Sequence, residues 1–525
     1  MTFHYNHSLP PTRPIRKILI ANRGEIAVRI ARACKELSIV SVAVYSDADR
    51  ASIHVLRCDE AYRLGPAPAS ESYLRGDLIL DVAKKCGADA IHPGYGFLSE
   101  NAAFAEQCRT AGIKFIGPPP EAMRALGSKT AARRLADSVA MPRVPGSAQG
   151  LASFDEAVNV AQQIGYPVML KAAAGGGGKG MRRVDAEDQL RSAFDGARSE
   201  AQRAFGNDEV YLEKLVVEPR HIEIQLLADE HGNCIYLGER ECSMQRRNQK
   251  VIEEAPSAAV TPELRRAMGE AAVRIAQAAG YTNAGTIEFL VERDPKKKIG
   301  EQNFYFLEMN TRLQVEHPVT ELITGLDLVH LQILVAEGKP LPLKQQDIQL
   351  RGHAIECRIY AEDPDNNFFP SPGKITRLLD AAGPGIRLDS GVYEGWTVPL
   401  DYDPMLSKLI AYAPTRGAAI DRMLRALDET YVGGIATNLG LFRRLLQDPR
   451  FRTADIHTAY LDQLLAASSP AADARSQAPQ SEPDLALAAI AAALFSEQLA
   501  AAPTTPAAAP QSGWKQAARA EGVSR

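Results

Sequence analysis

The segment FYFLEMNTRLQVEHP sets Glu308, Asn310, Arg312, Gln314 and Glu316 two apart along the chain. They keep the parity of Phe304 and Phe306, side chains that belong in a core. In an extended chain they all share one face. Upstream, GTIEFL carries Glu288, and the charged stretch RDPKKKIGEQN between the two apolar runs suits an antiparallel pairing. Carboxylates, amides and a guanidinium on a core-facing surface are costly to bury unless they bind ions or ligands. An exposed strand shows the same alternation innocently, but the two phenylalanines of like parity argue against exposure. Oxygen ligands in this pattern suit Mg²⁺ bridging nucleotide phosphates.

The rest of the chain frames that pair. At 525 residues it is too long for one ordinary core, so several lobes are expected. KILIA (17–21), a helix over 26–37 and SVAVYS (41–46) make a βαβ opening. It has only Gly24 in ANRGE where a dinucleotide site needs GxGxxG, which argues against a dehydrogenase. A second region starts near Pro142, with helices over 154–164 and about 187–205 and the strands PVMLKAA and VYLEKLV. A third supplies HIEIQLLAD, CIYLGER, GTIEFLVE and FYFLEMN. A fourth, from about 352 to 465, alternates strands with Gly and Pro turns and ends in helices. No internal repeat is visible.

Composition excludes several classes. Sixty basic against 64 acidic residues leave a net charge of −4, no reason to expect nucleic acid or an anionic membrane as partner. The seven cysteines form no CxxC pair, so a zinc site or disulfide framework is not expected, and a reduced cytosolic protein is. The longest apolar stretch, 485–495, falls short of the roughly 20 residues that cross a bilayer. After Ala466 the chain turns to Ala, Pro and Ser, a linker or disordered composition. Leu487, Ile490 and Leu494 in this tail form either a short docking helix or a weak alanine-rich one.

Two further segments carry chemistry. KAAAGGGGKGMR follows a strand, and its glycines let backbone N–H groups approach phosphate oxygens while Lys171 and Lys179 supply charge. It is no Walker motif, so the alternatives are a phosphate lid and a plain flexible loop. ERECSMQRRNQKVIEEAP is either a solvated charged face or a winding active-site segment.

From about Ile15 to Leu465 the chain resembles the biotin carboxylases, members of the ATP-grasp superfamily. The resemblance rests on KILIANRGEIAVRI, DAIHPGYGFLSEN, YPVMLKAAAGGGGKGM, EPRHIEIQ, ERECSMQRRNQKVIEEAP, FLEMNTRLQVEHPVTE, GHAIECRIYAEDP, FPSPGKI, DYDPMLSKL and GGIATN. It implies an α/β and α+β multidomain chain with an ATP-grasp fold. A Rossmann-like pre-ATP-grasp domain (15–127) follows a leader (1–14). An ATP-grasp region (128–347) holds a mobile lid at about 144–216, and a C-terminal biotin carboxylase domain (348–465) precedes the tail (466–525).

The resemblance also assigns residues. Lys129 and Lys171 would bind the ATP phosphates under a lid containing Gly177 and Gly178. Glu213, Lys214, Leu215 and Val216 would form the adenine-side hinge, with His221 and Gln245 near the ribose. Asn248 stands where many relatives have His. Glu288 and Glu308, assisted by Asn310, would hold two Mg²⁺ ions, or Mn²⁺ in their place. Lys250, Arg312, Gln314 and Val315 would bind bicarbonate, with Glu316 its general base. Arg358 would bind biotin and stabilise its enolate, with Tyr95 and Asp403 beside it.

The implied partners are a biotin carboxyl carrier protein, a second copy of the chain and a carboxyltransferase subunit. Arg32, Glu36 and Arg387 match dimer-interface positions, and Pro384 departs from a nearby aromatic residue of some relatives. The family attaches biotin to the lysine of a Met-Lys-Met turn, and no methionine here precedes a lysine, so the resemblance implies that biotin arrives in trans. The carboxyl acceptor stays open: acetyl-CoA for fatty-acid synthesis, propionyl-CoA or pyruvate. A carbamoyl-phosphate synthase-like ligase would lack the EHP, QRRNQK and ECRI segments. An inactive regulatory subunit would lack a Lys or Glu of the site, and none is missing.

Overall fold

The computed structural model describes residues 14–127, 129–147, 149–172, 181–293 and 301–467, without the side chains of Lys129, Thr130 and Phe205. Gly177, Gly178, Lys179, residues 294–300 of the charged turn and nearly all of the leader and tail therefore lie outside the described residues. Met1–Asp462 forms one compact unit and Gln463–Arg525 a second, whose first residues complete the helix Tyr460–Ala467. No single helix among the described residues is long and apolar enough to cross a membrane. All seven cysteines are free.

The N-terminal strands build a five-stranded parallel sheet in the order Glu60–Gly65, Val40–Ser46, Lys17–Ile20, Ala90–His92, Lys114–Phe115. Ile18, Leu19 and Ile20 have no exposed surface, as a strand covered on both faces requires. Strand order reverses beside Lys17–Ile20, and the loops leaving Lys17–Ile20 and Ala90–His92 open a crevice at the sheet's carboxyl edge. Asn22 ties these loops together, its amide donating to the Pro93 and Tyr95 carbonyls at 2.7 Å each.

An eight-stranded antiparallel sheet forms the centre. Its order is Phe304–Asn310, Asn283–Val291, Arg220–Ala228, Cys234–Arg246, Gln249–Ala255, His353–Tyr360, Met405–Ala413, Ile386–Ser390. The strands of the third and fourth sequence regions thus share one continuous sheet. A separate three-stranded sheet, Met181–Val184, Val168–Ala172 and Val210–Lys214, packs its own core of Leu170, Val184, Leu190, Phe194 and Leu212 against the helices Phe154–Ile164 and Glu187–Phe205.

Two sequence expectations are corrected. The face shared by alternate residues ends at Asn310, where the strand stops; Arg312 to Glu316 bend and turn into the helix His317–Thr324, which Glu316 caps. Pro318 in that first turn suits a helix start, not a continuing strand. The ERECSMQRRNQKVIEEAP segment is neither a winding stretch nor a solvated face but a β-hairpin of Cys234–Arg246 and Gln249–Ala255. Its two-residue loop, Arg247 and Asn248, has φ of 49° and 68°, as a type I′ turn requires. The helix expected over 26–37 runs Gly24–Glu36, entered through Gly24 at φ 66°.

Candidate active site

The central sheet lines charged residues up across its strands. Register places Glu308 opposite Glu288, Glu288 opposite Glu223, and Glu223 opposite Arg240. Arg240, fully buried, ion-pairs with Glu223 and donates to Gln225 at 2.7 Å, Thr320 at 2.9 Å and Thr286 at 3.0 Å. Its guanidinium is thereby satisfied inside the protein, the condition for burying it at all. Asn310 donates to Glu288 Oε1 at 2.8 Å, and His221 Nε2 lies 3.1 Å from Glu288 Oε2. The Gln245 amide stands 2.8 Å from the other ring nitrogen of His221.

Lys250 comes from beyond the hairpin turn and puts one ammonium among three carboxylates. Nζ is 2.6 Å from Glu223 Oε2, 2.8 Å from Glu288 Oε1 and 2.7 Å from Glu316 Oε1. The other oxygen of Glu316 accepts from Arg358 Nη2 at 2.8 Å, and the same nitrogen pairs with Glu253. Burial alone would raise the Glu316 carboxyl, but Lys250, Arg358 and Arg240 hold it well below the usual carboxylate range. Burial would likewise lower Lys250, and its three carboxylates keep it protonated, well above the ordinary lysine value.

These groups sit between two cavities. A cleft of about 730 Å³ is lined by Lys171, Glu213, His221, Gln245, Asn248, Lys250, Glu288, Glu308, Asn310, Arg312 and Gln314 among others. A second, of about 480 Å³, lies at the crevice of the parallel sheet and is lined by Asn22, Glu25, Tyr95, Tyr360, Asp403 and Met405. Arg312, Val315 and Arg358 line both. Glu316, with no exposed surface, stands behind Lys250 and Arg358 at this junction. A polar cleft beside a second, more apolar cavity, with a buried carboxylate and two cations between them, suits transfer of a group from a charged substrate to a bulkier one.

Three family profiles together account for nearly all of the described chain. "Biotin carboxylase, N-terminal domain" matches residues 14–123, "Carbamoyl-phosphate synthase L chain, ATP binding domain" residues 128–344, and "Biotin carboxylase C-terminal domain" residues 356–463. The chain belongs to the biotin carboxylase family. It is 53% identical over 446 residues to a biotin carboxylase of Halalkalibacterium halodurans, covering 85% of this chain and 97% of that one. It is 52% identical over 447 residues to a pyruvate carboxylase subunit of Methanothermobacter thermautotrophicus, covering 85% and 89%. The biotin carboxylase domain dimer of Hydrogenobacter thermophilus 2-oxoglutarate carboxylase, solved with MgADP, ADP and bicarbonate, superposes with a TM-score of 0.79 at 45% identity, over 86% of this chain and 98% of that one.

Within this biotin carboxylase fold most of the expected site residues converge, but not all do so by their side chains. Lys171 Nζ meets Glu213 at 2.6 Å, and Arg133 pairs with the same carboxylate while stacking over Tyr211. Lys214 turns away, donating to the Gly165 and Tyr166 carbonyls at 2.9 and 2.8 Å. Leu215 and Val216 are not among the cleft-lining residues. Arg312 donates to Glu100 Oε2 at 2.9 Å and reaches Gln314 at 3.3 Å. The sequence reading missed Glu223, Arg240, Glu253, Glu100 and Arg133. Only Glu223 carried a signal, as the single acid in the otherwise apolar alternation HIEIQLL. The donor chemistry fits Mg²⁺: two carboxylates in direct cross-strand register, one of them (Glu308) exposed to the cleft, with an amide beside them.

Proposed function

We propose that the protein carboxylates biotin on a separate carrier: ATP, bicarbonate and biotinyl carrier give ADP, phosphate and carboxybiotinyl carrier by way of carboxyphosphate. The observation that carries this is Glu316, pinned between Lys250 and Arg358 where the two cavities meet. Bicarbonate is a weak nucleophile, so Glu316 takes its proton as it attacks the γ-phosphorus. Lys250 and Arg312 hold the bicarbonate oxygens, with Gln314 and Val315 beside them. Lys129 and Lys171 are assigned to the ATP phosphates, and the segment with Gly177 and Gly178 is assigned the part of a lid that would exclude water from carboxyphosphate. Glu288, Glu308 and Asn310 would hold Mg²⁺, which neutralises charge on the transferred phosphoryl group when bound. On the other side Arg358 meets the ureido oxygen of biotin and stabilises its enolate, with Tyr95 and Asp403 lining the cavity that admits it.

The test is ADP release with free biotin replacing the carrier. It should require bicarbonate and biotin together, and ADP formed equally well without either would sink the assignment. The acceptor beyond biotin is a CoA thioester, acetyl-CoA first, or pyruvate, served by a carboxyltransferase subunit in the cytoplasm. The protein works as a homodimer. Arg32 and Glu36 are exposed on Gly24–Glu36, whereas Arg387 is engaged internally with Glu321 at 2.7 Å and Asp389 at 2.8 Å. Sedimentation at micromolar concentration should therefore give twice the chain mass.

A further inference from the structure

Behind Arg358 lies a second pair of acids that the proposed chemistry does not use. In the antiparallel pairing of Gln249–Ala255 with His353–Tyr360, Glu253 stands directly opposite Glu356. Both have no exposed surface. Directly opposed side chains in such a pair have Cβ atoms about 5 Å apart. Their face of the sheet also carries Arg358, two residues from Glu356, and Lys408, opposite Arg358. It is covered by His317–Thr324, since Ala255, Ala354 and Ile410 of this face pack on Val319 and Ile323.

The charges do not balance. Lys408 is taken by the Val315 carbonyl at 2.7 Å and Glu25 at 3.2 Å. Arg358 divides one nitrogen, Nη2, between Glu316 and Glu253. Neither oxygen of Glu356 has a hydrogen-bond partner, and Glu253 meets Arg358 by ion contact alone. Two adjacent carboxylates in a closed interior, with one shared guanidinium and an ammonium already bonded elsewhere, cannot both stay ionised.

We propose that Glu253 is a positioning residue for Arg358, and that the Glu253–Glu356 pair carries a proton, resident on Glu356, which leaves Glu253 as the anion that keeps Arg358 from being wholly committed to Glu316. This rests on the assignment of Arg358 and Glu316 to the carboxylation reaction. With Glu253 charged, the guanidinium is shared between two carboxylates. With Glu253 neutral, the whole charge of Arg358 falls on Glu316, which makes the base weaker and holds Arg358 back from the biotin side.

The groups facing Glu253 are Arg358, Cys357 and Glu356 on the next strand, Glu316 at the start of the covering helix, and Lys250 on its own strand. Those facing Glu356 are Lys408, Arg358, Glu253, Glu316 and Cys357. Burial, opposed by Arg358, brings Glu253 up to about 7, and burial, opposed by Lys408, carries Glu356 well above the usual carboxylate range. The sign follows: as pH falls through about 7, Glu253 gains a proton and turnover falls.

The experiment measures kcat and kcat/KM for free biotin from pH 5.5 to 9 in the full-length enzyme and in Glu253→Gln, Glu253→Asp and Glu356→Gln. Glu253→Gln should lose about 10–100-fold in kcat at pH 8, the range typical of residues that orient a functional ligand. Its KM for ATP should stay within about threefold, and its acid limb near neutrality should disappear. Glu253→Asp should restore part of the rate and a limb. Glu356→Gln should keep the limb where the unaltered enzyme has it, because an amide replaces a group already uncharged.

A Glu253→Gln enzyme that retains the limb overturns the proposal and leaves the limb to bicarbonate or nucleotide. A limb lost in Glu356→Gln overturns it too, by placing the titrating proton on the wrong residue. Should Glu253→Gln fail to fold, Glu356→Gln decides on that criterion alone. Absence of any bicarbonate- and biotin-dependent ADP release by the unaltered enzyme overturns the function assignment, and this proposal with it.

Discussion

Glu316→Gln separates chemistry from architecture because its neighbours have other partners. Lys250 keeps Glu223 at 2.6 Å and Glu288 at 2.8 Å, and Arg358 keeps Glu253. Removing a buried charge whose partner is then stranded costs about 3–5 kcal/mol. Here neither cation is stranded, so the loss of folding stability should be nearer about 1–3 kcal/mol, the scale of hydrogen bonds to charged groups. The catalytic loss is set by different physics. A positioned general base contributes roughly 10²–10⁴-fold, which is about 2.7–5.5 kcal/mol of barrier. The amide fills the same space without accepting a proton, so kcat should fall by that factor while KM for ATP hardly moves. The assay is ADP release with free biotin at saturating bicarbonate, beside a melting curve. A variant that keeps more than about a tenth of the rate removes Glu316 as the base. A loss that tracks a rise in KM for ATP would make the defect one of nucleotide binding.

Lys250→Met should destabilise the substrate-free protein by about 3–5 kcal/mol, because the ammonium shared by three buried carboxylates is gone. One of those carboxyls should then take up a proton on folding. Its folded pKa is raised, so the variant's stability should grow as pH falls from 7 to 5, read as a rising melting temperature. A pH-independent deficit would refute this. Further along the same strand, burial would raise Glu254, but its bond to His353 at 2.7 Å and the charge of Arg416 bring it down to about 2. With the unfolded carboxyl near 4.5, that pairing is worth about 3 kcal/mol at neutral pH and is lost as pH falls from about 4.5 towards 2. Urea titrations of Glu254→Gln against the unaltered protein should show that gap at pH 7 closing towards pH 2.

The sequence exposed the site's skeleton because its acids interrupt apolar runs. Glu288 and Glu308 are paired across antiparallel strands, as the charged turn between them implied. The length of the pattern misled. Alternation continues to Glu316 in the sequence, yet the backbone leaves the sheet after Asn310, and the later residues reach the site from a bend and a helix cap. The hairpin was hidden for the opposite reason. In Cys234–Arg246 nearly every residue is buried, on both faces, with Glu239 and Glu241 bound to Arg265, Ser257 and Arg220. A strand whose two faces are both polar and covered has no period of two to detect. Glu253, Glu356 and Lys408 alternate with Ile252, Ile355 and Leu409, which in isolation describes the wet side of an amphipathic strand. Their face is covered by His317–Thr324, a fact set by contacts far apart in sequence.

The same covering bears on how the proposed site would respond to its substrates. A general base works best with a pKa near the working pH, yet Lys250, Arg358 and Arg240 hold Glu316 far below it. The two cations that touch Glu316 are the residues assigned to bicarbonate and to biotin. Under that assignment, bicarbonate would draw off part of Lys250 and biotin part of Arg358, each weakening one of the contacts that suppress the base. Glu316 would then rise towards useful basicity only with both substrates in place. On the proposed assignment, the same ion pairs that make the buried charges tolerable would also protect ATP from idle cleavage, with Glu253 as the proposed counterweight on Arg358.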